Sequence, residues 1–252
     1  MPRILEGFPV SNGMIAFFTT TIYQPFYNSF IFLIEKLPFF DAGVIVVIFT
    51  IIIKIILLPL SVKASKAQLQ MKTTEKGLAD IKEKYKDNKE EQGRKIMEYY
   101  KEKGINPFAG IFILIVQLPI LIGLYQVFIE SGLPVIDTDM LYSFIPSPAS
   151  VNMFFLHTIN ISEKSIILAV IAGITTYFQI SLSSPPSTPG GAKGDFAKVM
   201  AVQMKYFFPI VMTFIAYSIS SAVALYLITS NIFAIAQEAY IRKKYHKAVF
   251  VE

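Results

Sequence analysis

Residues 43–62, GVIVVIFTIIIKIILLPLSV, form a near-continuous apolar run whose one charge is Lys54. A helix needs about 20 such residues to cross a hydrocarbon core roughly 30 Å thick. Comparable runs occupy residues 107–129 and 165–184. Residues 206–241 are also mostly apolar but too long for one crossing, and Ser218, Ser220 and Ser221 mark a place to split them into two helices joined by a tight turn. The pattern predicts five spans in an all-α integral membrane protein. The charge content agrees: 16% of residues are charged and 54% are hydrophobic, against about 25% charge in a soluble domain.

An earlier apolar stretch, residues 14–34, reads two ways. It holds Gln24, Pro25, Asn28 and Ser29 and is followed by Glu35 and Lys36. It either spans or lies in the interface as an amphipathic helix. The absence of cysteine removes disulfides, thiolate metal sites and cysteine nucleophiles. Two histidines, His157 and His246, leave no basis for a His-rich catalytic or zinc constellation. The start, MPRILEGFPVSNG, lacks the basic region, short apolar core and small-residue cleavage site of a secretory signal. No repeat of fixed period is present.

Residues 63–106 are the one long charged segment, with twelve Lys/Arg and eight Asp/Glu. Leu69, Leu78 and Ile81, then Ile96, Met97, Tyr99 and Tyr100, recur at helical spacing, and Asp87, Asn88 and Lys89 interrupt them. This predicts two solvated helices folded as a hairpin. The hairpin, the 185–205 loop, Pro/Gly-rich over 185–194, and the tail at 242–252 together carry 19 of the 23 basic residues. An excess of Lys and Arg marks the cytoplasmic side. That puts the C-terminus in the cytoplasm and the 130–163 loop outside, with the N-terminus outside if residues 14–34 do not span.

Lys54 is the residue that demands a chemical account. A lysine at the centre of a span costs about 2.5–3.5 kcal/mol on insertion scales. Lysine snorkels readily from a helix end, but from the middle of a span its head must reach roughly 15 Å. Within the five runs carboxylates occur only at the ends, as Glu130 and Glu238. The economical solution is a water-filled cavity inside the bundle. Thr50 lies one helical turn earlier on the same face. Gln117, Asn231 and Ser230 are further candidates for the polar lining, with interhelical hydrogen bonding as the alternative role for Gln117 and Asn231. Pro59, Pro119 and Pro209 read as kinks or packing features. There is no phosphate-binding glycine loop, no paired intramembrane carboxylates and no nucleophile–base pair, so neither an enzyme nor a cofactor is expected.

Several segments together resemble one family. TIIIKIILLPL runs into SVKASKAQLQMK. KYKDNKEEQGRKIMEYYKEKGINPFAGIFILIVQLPILIGLY carries Asn106-Pro107, Gly110 and Gln117-Leu118-Pro119-Ile120. FFPIVMTFIAY is followed by ALYLITSNIFAIAQE, with Leu225-Tyr226, Ser230-Asn231 and Gln237. Over roughly residues 20–245 the chain is similar to the YidC membrane-protein insertases, relatives of the mitochondrial oxidase-assembly and chloroplast Albino insertases.

The resemblance implies five core transmembrane helices around a hydrophilic groove that is open to the cytoplasm and lipid and closed outside. It implies an interfacial amphipathic helix within residues 1–42, a groove span at 43–62, a cytoplasmic hairpin at 63–106 and four further spans within 107–241. It implies a membrane protein insertase and chaperone acting alone or with the Sec translocon. Client contacts are implied at Lys54, Thr50, Gln117, Tyr226 and Asn231. The partners are nascent membrane-protein clients and the lipid bilayer, with the hairpin and basic tail meeting the Sec translocon, the ribosome or targeting factors, and no specific nucleic-acid sequence. The chain departs from the family at Lys54, where arginine is usual. Lysine keeps the charge and loses the planar five-donor fork. It departs again at Leu227, where an aromatic often follows the Leu-Tyr pair, and in the outer loop, which has no tryptophan. Two other classes fit the residues alone: a small-solute transporter or channel with Lys54 as an anion site, and an assembly factor that scaffolds subunits without inserting them.

Overall fold

The computed structural model describes residues 12–106, 109–130, 133–183 and 191–249. It is an all-α membrane protein. Among the described residues three helices are long and apolar enough to cross a bilayer: Ile166–Ser183, Val202–Ile219 and Ser221–Lys244. Eighteen residues extend about 27 Å, close to the hydrocarbon thickness. A fourth span results if Ala42–Ile56 and Leu58–Met71 are counted as one broken crossing, and Gln117–Phe128 is a shorter apolar helix. The 43–62 run is therefore not one uninterrupted helix. Leu57 separates α3 (Ala42–Ile56) from α4 (Leu58–Thr73), and Pro59 sits in the first turn of α4, where its missing N–H costs nothing.

The chain forms two compact units. The first comprises residues 1–55, 115–173 and 212–230. Here α1 (Asn12–Phe18) continues through a π-helical turn (Thr19–Tyr23) into α2 (Gln24–Lys36). Tyr23, Tyr27, Phe30, Ile31 and Ile34 recur on one face of this helix and are buried. Phe30 meets Phe49 of α3 and Phe128 edge-on, and Phe26 meets Phe49 likewise. Each such pair is worth about 0.5–1.5 kcal/mol beyond its buried area. Gly123 of α7 (Ala109–Tyr125) lets Phe26 come close: a Cβ there would lie 3.2 Å from its ring.

The loop between α7 and α8 (Ile166–Ser183) is built onto helix ends. Asp41 caps α3 by accepting from the Val44 amide at 2.8 Å, and the Ala42 amide donates to the Asn152 carbonyl. Strands β1 (Phe154–Phe155) and β2 (Ile159–Asn160) form a minimal antiparallel hairpin. Phe155 packs on Gly43 so closely that a Cβ there would fall 2.4 Å from it. The split expected at Ser218–Ser221 falls at Ser220, between α9 (Gly191–Ile219) and α10 (Ser221–Val249). The first amides of α10, Ser221 and Ala222, donate to the Glu163 and Ile161 carbonyls, so these orphan groups are satisfied by tertiary contacts.

The second unit comprises residues 56–114, 174–211 and 231–252. Its soluble-looking part is the hairpin of α5 (Glu75–Lys84) and α6 (Lys89–Glu102). Asn88 caps α6 by accepting from the Glu91 amide at 3.0 Å. At the other end Gly104 adopts positive φ, with the Ile105 amide on the Tyr100 carbonyl and the Gly104 amide on the Lys101 carbonyl. This is a complete Schellman closure. It turns Ile105 back onto Leu78 and Tyr100, with Met71, Ile96 and Tyr99 around them. Met97, one step off that stripe, is exposed.

Along α8 the surface pattern is inverted relative to a soluble helix. Ile166, Val170, Ile174 and Phe178 are exposed at four-residue spacing, while Ala169, Ala172 and Thr176 are buried. Apolar residues outside and small or polar ones inside are what packing in lipid favours.

Candidate functional site

The buried stripe of α3 runs Ala42, Val46 and Thr50 at four-residue spacing, and Lys54 is its next member. Ile51, Ile52, Ile55 and Ile56 are exposed beside it. The helix thus turns its aliphatic side outward and carries Lys54 on its inward side. Thr50 is fully buried, and its hydroxyl donates to the Val46 carbonyl at 2.7 Å. Its polarity is spent on its own helix.

Lys54 Nζ donates to Gln117 Oε1 at 3.4 Å. Gln117 Nε2 in turn donates to the Tyr226 hydroxyl, which has Ser230 as a further hydrogen-bonding neighbour. Tyr226 and Ser230 are buried, and Lys54 and Gln117 are partly buried. Three helices, α3, α7 and α10, therefore contribute one side chain each to a continuous relay in the first unit. Among the described residues no carboxylate pairs with Lys54. Its charge faces a neutral amide through one long bond, although an ammonium has three donors.

The sequence-selected residues do not all meet. Lys54, Gln117 and Tyr226 are linked, and Thr50 flanks them one turn along α3. Asn231 belongs to the second unit, where its amide donates to Thr175 Oγ1 at 3.2 Å and Thr176 Oγ1 at 2.8 Å. It acts there as a tie between α10 and α8.

Other polar ties were not singled out by the sequence. In the second unit Ser61 Oγ donates to Gln237 Oε1 at 2.8 Å. Arg242 pairs with the buried Glu238 at 2.8 Å, and its guanidinium also donates to the Leu182 carbonyl in the last turn of α8. Their i,i+4 spacing was visible, but Arg242 read as part of a solvated basic tail. In the first unit the buried Asn28 donates to the Met140 carbonyl at 2.8 Å and accepts from the Tyr142 amide at 2.6 Å. Tyr27 accepts from the Asp137 amide at 2.8 Å, and its burial raises its hydroxyl pKa above the ordinary tyrosine value. The one signal for this clamp was an asparagine inside an apolar stretch.

On the hairpin the charges are local pairs. Arg94 pairs with Glu91 at 2.6 Å and Lys95 with Glu98 at 2.7 Å. Among the described residues no cluster of three metal-ligating side chains occurs.

The family described as 60Kd inner membrane protein matches residues 34–248. Relatives named "Membrane protein insertase YidC" include those of Francisella tularensis subsp. novicida (strain U112), subsp. tularensis (strain WY96-3418) and subsp. holarctica (strain FTNF002-00 / FTA). Each is 29% identical over 203 residues, covering 81% of this chain and 33% of the relative. The chain thus matches about a third of the length of these curated relatives.

Proposed function

Because the chain belongs to the 60Kd inner membrane protein family, and relatives named as membrane protein insertases share 29% of its residues over most of its length, we propose that it is a membrane protein insertase and chaperone. The observation that carries this reading is the placement of Lys54: a cation on the inward face of an apolar helix, held by a neutral amide with donor capacity left over. An acidic or carbonyl-rich segment of a client is the partner such a group would take. The relay through Gln117 and Tyr226 orients the ammonium and keeps polar groups beside it.

In this scheme a client with a short, weakly charged translocated segment enters from the cytoplasm. Lys54 attracts acidic residues in that segment, and the hydrated groove shortens the hydrocarbon path. The client's apolar helix then moves into lipid, driven by burial of its apolar area. The chain sits in the cell membrane with its C-terminus cytoplasmic and its N-terminus outside. The hairpin and basic tail receive clients and meet the ribosome, targeting factors or the Sec translocon, with which the protein cooperates or without which it acts alone.

The test is a photoreactive residue at position 121, one turn along α7 from Gln117 with Lys54 intact, in proteoliposomes programmed with ribosome-bound nascent membrane proteins. Crosslinks to the nascent chain are expected during insertion. Anion flux without nascent-chain crosslinks would sink the insertase reading and favour a channel.

A further inference from the structure

Helix α2 is amphipathic, yet its apolar stripe is used up inside the first unit, against Phe49 and Phe128. Its exposed positions are Ser29, Phe32 and Lys36, with the Lys36 ammonium 5.9 Å from the Phe32 ring. One aromatic and a cation give a helix little grip on lipid. Large apolar side chains are instead bare in two neighbouring segments. Phe39 is 96% exposed, with Phe40 beside it, and in the loop after α7 Val135 and Phe144 are each 74% exposed.

These segments belong together mechanically. The Asn28 and Tyr27 bonds fasten Asp137, Met140 and Tyr142 to α2. Tyr142 in turn stacks on Phe144 at 5.5 Å. Phe39 and Phe40 immediately precede Asp41, the cap of the apolar helix α3.

We propose that residues 37–40 and the 133–145 loop form one lipid-anchoring surface, seated in the headgroup region at the N-terminal end of α3. The occupant is the neutral lipid interface. The neighbouring charges are Glu35, Asp41, Asp137 and Asp139 against Lys36, a balance that anionic headgroups would repel. Apolar side chains penetrating the headgroup zone supply the binding. One consequence reaches the candidate site. Lys54 lies twelve residues beyond Ala42, about 18 Å along the helix. A surface that fixes where α3 enters lipid therefore fixes the depth of the lysine.

The chain contains no tryptophan, so a single Trp reports only its own surroundings. Phe39→Trp, Val135→Trp and Phe144→Trp are each reconstituted in phosphatidylcholine vesicles with brominated acyl chains, with Met97→Trp on the hairpin as the aqueous control. Blue-shifted emission and several-fold stronger bromine quenching than at position 97 are expected at all three sites. Acrylamide quenching at positions 135 and 144 equal to that at 97 overturns the shared surface, even if position 39 is quenched by lipid. The chain also has no cysteine. Spin labels on cysteines introduced at the same positions, read by oxygen against nickel accessibility, decide the matter for any Trp variant that fails to fold.

Discussion

Lys54 owes its position to a helical period and its environment to other helices. The i,i+4 relation to Thr50 was readable in the chain, because 3.6 residues per turn put both on one face. What the ammonium meets was not readable: Gln117 lies 63 residues from Lys54, and Tyr226, bonded to Gln117, lies 109 residues beyond that. If Lys54 grips acidic client segments, Lys54→Glu should abolish their insertion in proteoliposomes. Lys54→Gln should slow it about ten- to hundredfold, the equivalent of a lost charge-assisted bond of ~1.5–3 kcal/mol. Lys54→Arg should retain activity, since the charge persists and donors are added. Asn28 is the second residue whose role only folding revealed. Asn28→Ala leaves the Tyr142 amide without its partner and the Met140 carbonyl with only the longer bond from Gln24 at 3.3 Å. It should lower stability by about 1–3 kcal/mol, measured by thermal unfolding in detergent micelles, with Asn28→Asp intermediate because a carboxylate can still accept from Tyr142 but cannot donate to Met140.

The helices themselves were largely legible, their interruptions less so. The hairpin turn was expected at Asp87–Lys89, and α5 and α6 are separated at Tyr85–Asn88, where Asn88 has the side chain a helix cap needs. The break at Leu57 lies inside a run whose hydropathy is continuous, and only Pro59, read as a kink or packing feature, marked it. On α6 the exposed Arg94 guanidinium holds the Glu91 carboxyl below the ordinary carboxylate value, and Lys95 does the same for Glu98. A carboxyl depressed by folding adds stability above its unfolded pKa and loses it as pH falls through the folded value. Circular dichroism of a peptide spanning residues 75–106 should therefore show helicity steady near neutrality and falling as pH drops from the ordinary carboxylate range through the depressed folded values. Glu91→Gln should blunt that acid response. The tie between α8 and α10 makes a larger prediction. Arg242→Ala strands the buried Glu238 and should cost about 3 kcal/mol, the low end for breaking a buried pair because the arginine is partly exposed. Adding Glu238→Gln should recover part of that loss in chemical denaturation.

At the scale of the whole chain, uneven charge organises function. Twenty of the 41 charged residues lie in residues 63–106, and one isolated lysine is left in an apolar helix. If the hairpin receives clients, deleting residues 75–102 should weaken nascent-chain capture at position 121 while leaving the other helices folded, because α5 and α6 close on their own small core. Capture at the parental level would remove the hairpin from the pathway. The sequence by itself determined the class, the apolar helices, the charged hairpin and the inward lysine, because hydropathy and helical period are local quantities summed along the chain. Only the tertiary structure decided which polar groups meet. It put Lys54 on Gln117 and Gln117 on Tyr226, sent Asn231 to the threonines of α8, and spent the apolar face of α2 on protein. Such pairings depend on which faces of distant helices pack together, and in lipid that choice is made by shape and hydrogen-bond satisfaction, which no single segment carries.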